Sequence, residues 1–128
     1  MIIIGLVLAG LAAALHVFIF YMESIAWTSP RARATFGTTP EEAEATKSLA
    51  YNQGFYNLFL AVAVIIGILC VSGGAAEIGY TLVLTGVGSM LAAAFVLLFS
   101  NADLVASAIK QGIFPFLAVV LLVLGIAM

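Results

Sequence analysis

The chain has 128 residues, of which 65% are hydrophobic and only 8% charged, with a formal net charge of −2. So few cations exclude a nucleic-acid footprint, and so little polar sequence excludes a separate soluble domain, so any activity has to sit in or at a bilayer. A single cysteine and a single histidine exclude an internal disulfide and a usual zinc site.

Apolar runs long enough to cross about 30 Å of hydrocarbon predict four transmembrane helices, over about 2–27, 49–71, 78–99 and 111–128, with a loop over about 28–48. The runs are continuous rather than alternating, which selects helices over lipid-facing strands. Short connections make neighbours antiparallel. The expected fold is all-α, an integral membrane four-helix bundle running up-down-up-down as a single domain.

Met1 leads straight into IIIGLVLAGLAAAL with no positive n-region, so the first helix is expected to be retained rather than cleaved. Within it, His16, Phe20, Glu23 and Trp27 follow steps of four, three and four and share one stripe. The stripe runs back through Ala12, Ala9 and Gly5, small residues that let membrane helices approach closely. His16 and Glu23 are therefore expected to face protein. A titratable group inside a membrane is costly, which makes either residue a candidate general base. The competing readings are a hydrogen-bonded packing histidine, and a glutamate reaching the interface beside Arg31 or Arg33.

The first loop, TSPRARATFGTTPEEAEATKS, carries Arg31, Arg33 and Lys47, and Lys110 lies in the third loop on the same side. Neither the second loop nor either terminus has Lys or Arg. The positive-inside rule then predicts cytoplasmic first and third loops and outer termini. Thr39-Pro40-Glu41-Glu42 reads as a helix start, with an N-cap threonine, proline at the first helical position and glutamate three residues after the cap. The second helix is thus expected to begin outside the hydrocarbon and run unbroken into it.

That helix enters the membrane through YNQGFYN, an unusually polar opening. Asn52, Tyr56 and Phe59 share one face, and Gln53 and Asn57 another. Antiparallel packing puts Asn52 and Gln53 near the depth of Glu23, and Phe59 near His16. An interfacial aromatic belt also accounts for Tyr51, Tyr56 and Trp27. Cys70 reads as a small core residue.

In the third helix Gly79, Gly86, Ala93 and Ser100 recur every seven residues, a seam for a neighbouring helix or for a second protomer in a homo-oligomer. Thr81, Thr85 and Ser89 are hydroxyls able to bond back to their own helix, so no polar path crosses the bundle and a monomeric channel is disfavoured. Pro115 reads as lying in the first turn of the fourth helix, where it costs no hydrogen bond. An internal echo pairs Leu11-Ala12-Ala13-Ala14 with Leu91-Ala92-Ala93-Ala94, and Gln53-Gly54 with Gln111-Gly112, each of the latter leading to FLAV. It suggests two parallel helical hairpins.

Polar residues thus gather in the cytoplasmic third. His16, Glu23, Trp27, Asn52, Gln53, Tyr56, Asn57 and Gln111 are the candidate ligand-binding residues of a chamber closed from outside. Amides can simply glue helices, at about 1 kcal/mol or less apiece. Four of them with a carboxylate and an imidazole favour a ligand. No cofactor and no metal set is indicated.

HVFIFYMESIAW, RATFG, NQGFYNLFLA and QGIFP together resemble an uncharacterised family of small bacterial four-helix membrane proteins, the domain of unknown function 1304 type, over nearly the whole chain. The matching positions are His16, Glu23, Trp27, Phe36, Gly37, Asn52, Gln53, Gly54, Tyr56 and Asn57. The resemblance implies an architecture and brings no activity, substrate or cofactor with it. The architecture is also similar to the membrane-associated glutathione and eicosanoid enzymes, trimers with four helices, an outer N-terminus and a long cytoplasmic first loop. Their arginine-rich run and Asn-x-x-Glu pair are missing, since Phe55 stands three residues after Asn52, and nothing there would hold an anionic tripeptide. The leading expectation is binding of a small amphipathic or lipid-like ligand. The alternatives are assembly with a larger membrane complex through the small-residue seam, and a membrane-embedded enzyme.

Overall fold

In the computed structural model, which describes residues 1–128, every regular element is helical. Helix α1 (Ile2–Phe20) runs on into a π-helical turn, Tyr21–Ile25. A short helix α2 (Pro30–Phe36) follows, then α3 (Pro40–Ser72), α4 (Ala76–Ser100), a 3-10 turn at Ala102–Leu104, and α5 (Val105–Ala127). Four of these segments are long and apolar enough to cross a membrane.

Local chemistry sets the boundaries. At α3, Thr39 N–H donates to Glu42 Oε2 (2.9 Å) and Glu42 N–H to Thr39 Oγ1 (3.2 Å), the reciprocal cap its sequence announces. α2 lies inside the expected loop, and local signals form it. Ser29 Oγ accepts from Ala32 N–H at 3.2 Å, Pro30 takes the first helical position, and Gly37 ends the helix at φ 69°. Much of the expected loop over 28–48 is therefore helical, and α3 begins at Pro40 rather than at 49. With 33 residues, α3 is about 50 Å long at ~1.5 Å per residue. That exceeds the ~30 Å hydrocarbon core, so its glutamate-rich first turns stand clear of the lipid.

The fourth span also starts earlier than expected, at Val105, which places Lys110 and Gln111 on the helix and Pro115 in its interior. The helix-initiation reading of Pro115 is thus wrong. Proline there lacks the N–H that would bond the Gln111 carbonyl, a defect that membrane helices tolerate where neighbours or water satisfy the freed group.

The four long helices form a ring in which α1 and α4 each pack between α3 and α5. The core is built of small and medium residues, among them Ala9, Ala12, Ala61, Val64, Val83 and Leu122. Backbones can then approach closely, the main source of helix association in lipid. At the α3–α4 crossing a Cβ on Gly79 would stand 2.6 Å from Gly67 O. Gly79 and Gly86 are thus occupied by α3 of the same chain, whereas Ala93 and Ser100 are exposed. The expected continuous seam for a second protomer is split between an internal contact and the outer surface. Thr81 and Ser89 donate to the Glu77 and Thr85 carbonyls at 2.7 Å, so those hydroxyls serve their own helix.

Candidate functional site

The polar residues divide into two groups on opposite sides of the α1 terminus. The first is a lock between α1 and α3. The π turn, closed by Ala26 N–H on Tyr21 O at 2.9 Å, carries Glu23, which is buried. Asn57 Nδ2 donates to Glu23 Oε2 at 2.7 Å, and Ser24 Oγ donates to Tyr51 O at 2.7 Å. Gly54 makes this approach possible, because a Cβ there would collide with Ser24 Oγ and lie 3.1 Å from Glu23 Cβ. Two turns deeper on the small-residue stripe, His16 is buried and its Nδ1 lies 2.9 Å from Ala12 O. A carbonyl only accepts, so Nδ1 carries a proton and donates to it.

Of the eight residues expected around one chamber, this lock unites Glu23 and Asn57 and places His16 on the same buried stripe. Asn52, Gln53 and Tyr56 lie exposed on the outer face of α3, and Phe59, expected beside His16, is 60% exposed. Their expected depth is right, as the Ser24–Tyr51 bond shows, but their direction around the helix is not. Trp27 is turned to structural use. Its Nε1–H donates to Thr46 Oγ1 at 3.1 Å and its ring packs on Phe36, 5.1 Å between centroids. Neither arginine reaches Glu23: Arg33 Nε donates to Thr28 O at 3.4 Å, and Arg31 lies over the Phe18 ring, 5.0 Å from its centroid. No three His, Cys, Asp or Glu side chains come together as a metal would require.

The second group lines a cavity of ≈ 780 Å³ between α1, α2 and the start of α5. Gln111 is the one expected site residue found there. Leu15, Phe18 and Ile19 of α1 and Met22 of the π turn supply an apolar floor, while Arg31 of α2 and Asp103, Lys110 and Gln111 of the α5 side supply polar walls. α2 does not pack its backbone closely on the long helices. It is held by side chains: Ala32 is buried with Ile19 and Met22, and Ser107 Oγ donates to Thr35 O at 3.3 Å. The result is a groove roofed by a short helix.

From the sequence Lys110 is a topology marker, and Arg31 is a topology marker and a candidate partner for Glu23. The signal for a site was there, since Lys110 directly precedes Gln111 and both loops were assigned to one face. What was missing was α2, the element that sets Arg31 opposite α5. A smaller slot of ≈ 250 Å³ on the other side of α5, against α4, is lined almost wholly by apolar side chains such as Leu98, Ile109 and Phe116 and offers no polar chemistry.

A family model described as a protein of unknown function (DUF1304) matches residues 10–123. No curated protein and no solved structure matches the chain.

Proposed function

Since the chain belongs to the DUF1304 family, whose description names no activity, we propose from its own geometry that it binds a small amphipathic or lipid-like molecule in the groove between α1, α2 and α5. The observation that carries this reading is the cavity itself. Its ≈ 780 Å³ falls within the range of small-molecule sites, and its lining is divided between an apolar floor and a few convergent polar groups. A tail would lie on Phe18, Ile19 and Met22, and a headgroup among Arg31, Lys110 and Gln111. The Glu23–Asn57 lock supports the site from behind: it fixes α1 on α3 while the neighbouring Met22 faces the groove. All four basic residues lie at the α2 end of the bundle, so the positive-inside rule puts the groove on the cytoplasmic side.

Native mass spectrometry of protein extracted gently from its membrane tests the reading. The wild type should carry a discrete adduct of lipid-like mass, and Ala106→Trp, which fills the groove from an exposed lining position, should lose it. An adduct that survives Ala106→Trp, or none in the wild type, refutes the proposal.

One observation favours a second reading, in which α3 docks a partner. The Asn52, Gln53 and Tyr56 side chains are exposed beside lipid-facing residues, where amides gain from a protein neighbour. Light scattering would then show an assembly that Asn52→Leu, Gln53→Leu disperses; an unchanged mass would exclude it.

A further inference from the structure

We propose that the groove selects its ligand by charge, taking the anionic phosphate headgroup of a membrane lipid between Arg31 of α2 and Lys110 of α5. This rests on the binding reading above and adds the chemical class of the ligand.

Cations are scarce in this chain, only four against six carboxylates, yet two of the four converge on one cavity from distant parts of the sequence. Among the lining residues only Asp103 is acidic. Glu23, next in sequence to the lining residue Met22, is turned away to Asn57. No carboxylate lies within ion-pairing distance of either cation. The groove is therefore a positive pocket in a negative protein.

Geometry adds to charge. Arg31 is oriented by its stacking on Phe18, which leaves its planar fork of donors for a second partner, and such a fork suits a phosphate. The Ser107–Thr35 bond ties α2 to α5 and so holds the arginine across the cavity from Lys110. Gln111 adds neutral donors at the same wall. The apolar floor on α1 continues into a transmembrane span, so a molecule with its phosphate at the two cations has its tail pointing into hydrocarbon. This favours a lipid over a soluble phosphate, which would leave that floor uncovered.

The test uses the purified full chain in detergent and native mass spectrometry with short-chain phosphatidylglycerol, phosphatidylcholine of the same tails, and inorganic phosphate. The wild type should bind one phosphatidylglycerol in preference to phosphatidylcholine. Arg31→Gln, Lys110→Gln should weaken phosphatidylglycerol about twenty-five-fold, from roughly fivefold per cation near a membrane surface, and weaken phosphatidylcholine, whose own ammonium offsets its phosphate, far less. Both residues are exposed, so this variant should keep the wild-type thermal midpoint. Arg33→Gln, Lys47→Gln removes the two basic residues outside the groove and should keep the preference. An equal loss in that control would mean diffuse surface attraction and overturn the proposal. Inorganic phosphate competing as well as the lipid would overturn it in favour of a soluble anion. Equal binding of both lipids, abolished by Ala106→Trp, would leave the binding reading standing and sink the charge inference. Lipid binding untouched by Ala106→Trp would sink both.

Discussion

Where α3 turns into α4, the bundle closes backbone to backbone: Gly67 faces Gly79, and Val64 fills the place beside Gly86. At the α2 end the bundle instead carries a π turn, a carboxyl–amide pair and, between α1, α2 and α5, a cavity of ≈ 780 Å³. The contrast shows how so small a membrane protein accommodates polar groups. Close approach of small residues at one end holds the helices in register. The other end is then free to carry features that cost stability, which is where functional sites are expected to break local rules.

Substitutions should separate the two ends by size of effect. Gly79→Leu drives a side chain into the α3 backbone. It should cost about 3 kcal/mol or more, read as loss of the monodisperse peak and of a cooperative thermal transition in detergent. A folded Gly79→Leu protein would break the contrast. Gly54→Ala attacks the lock, where the added methyl meets Ser24 and Glu23. About 2 kcal/mol is expected, measured as a lower thermal midpoint with the oligomeric profile unchanged.

Asn57→Ala removes the donor to Glu23 Oε2. Interhelical bonds in membranes average about 0.6 kcal/mol, so about 1 kcal/mol is expected once the orphaned carboxyl is included. Glu23→Gln keeps an oxygen to accept from Asn57 and should lose less than Asn57→Ala; the reverse order would mean that the charge, not the hydrogen bond, matters. The smallest global effect belongs to Trp27→Phe, which deletes the bond to Thr46 at about 0.5 kcal/mol. Its signature is local: faster hydrogen exchange in α2 with α3 and α4 unchanged.

The spans, the Thr39 cap and the buried Gly5–Ala9–Ala12–His16 stripe were legible because each depends on local composition or on a period within one helix. The face of α3 was not. Periodicity relates Asn52 to Tyr56 but does not say which face turns to α1, and only contacts such as Gly54 on Ser24 decide that. The π turn was invisible to a count of 3.6 residues per turn. It takes in an extra residue at Tyr21–Ile25, so a stripe drawn straight from His16 to Trp27 crosses a change of phase: Glu23 meets Asn57 in the middle of α3, while Trp27, beyond the turn, packs on Phe36 of α2 and bonds Thr46 near the start of α3. The groove was missed for a related reason. A seven-residue helix is too short for its period to stand out from a loop, and without it nothing sets Arg31 opposite α5.

Trp27 is the only tryptophan in the chain, and it sits between Phe36 of α2 and Thr46 of α3. The roof of the groove therefore carries an intrinsic optical reporter. Excitation of the indole reads the polarity and hydrogen bonding at that one contact without an attached dye. A titration that shifts the emission maximum follows the position of α2, and a stopped-flow trace of the same signal gives the rate at which the roof responds.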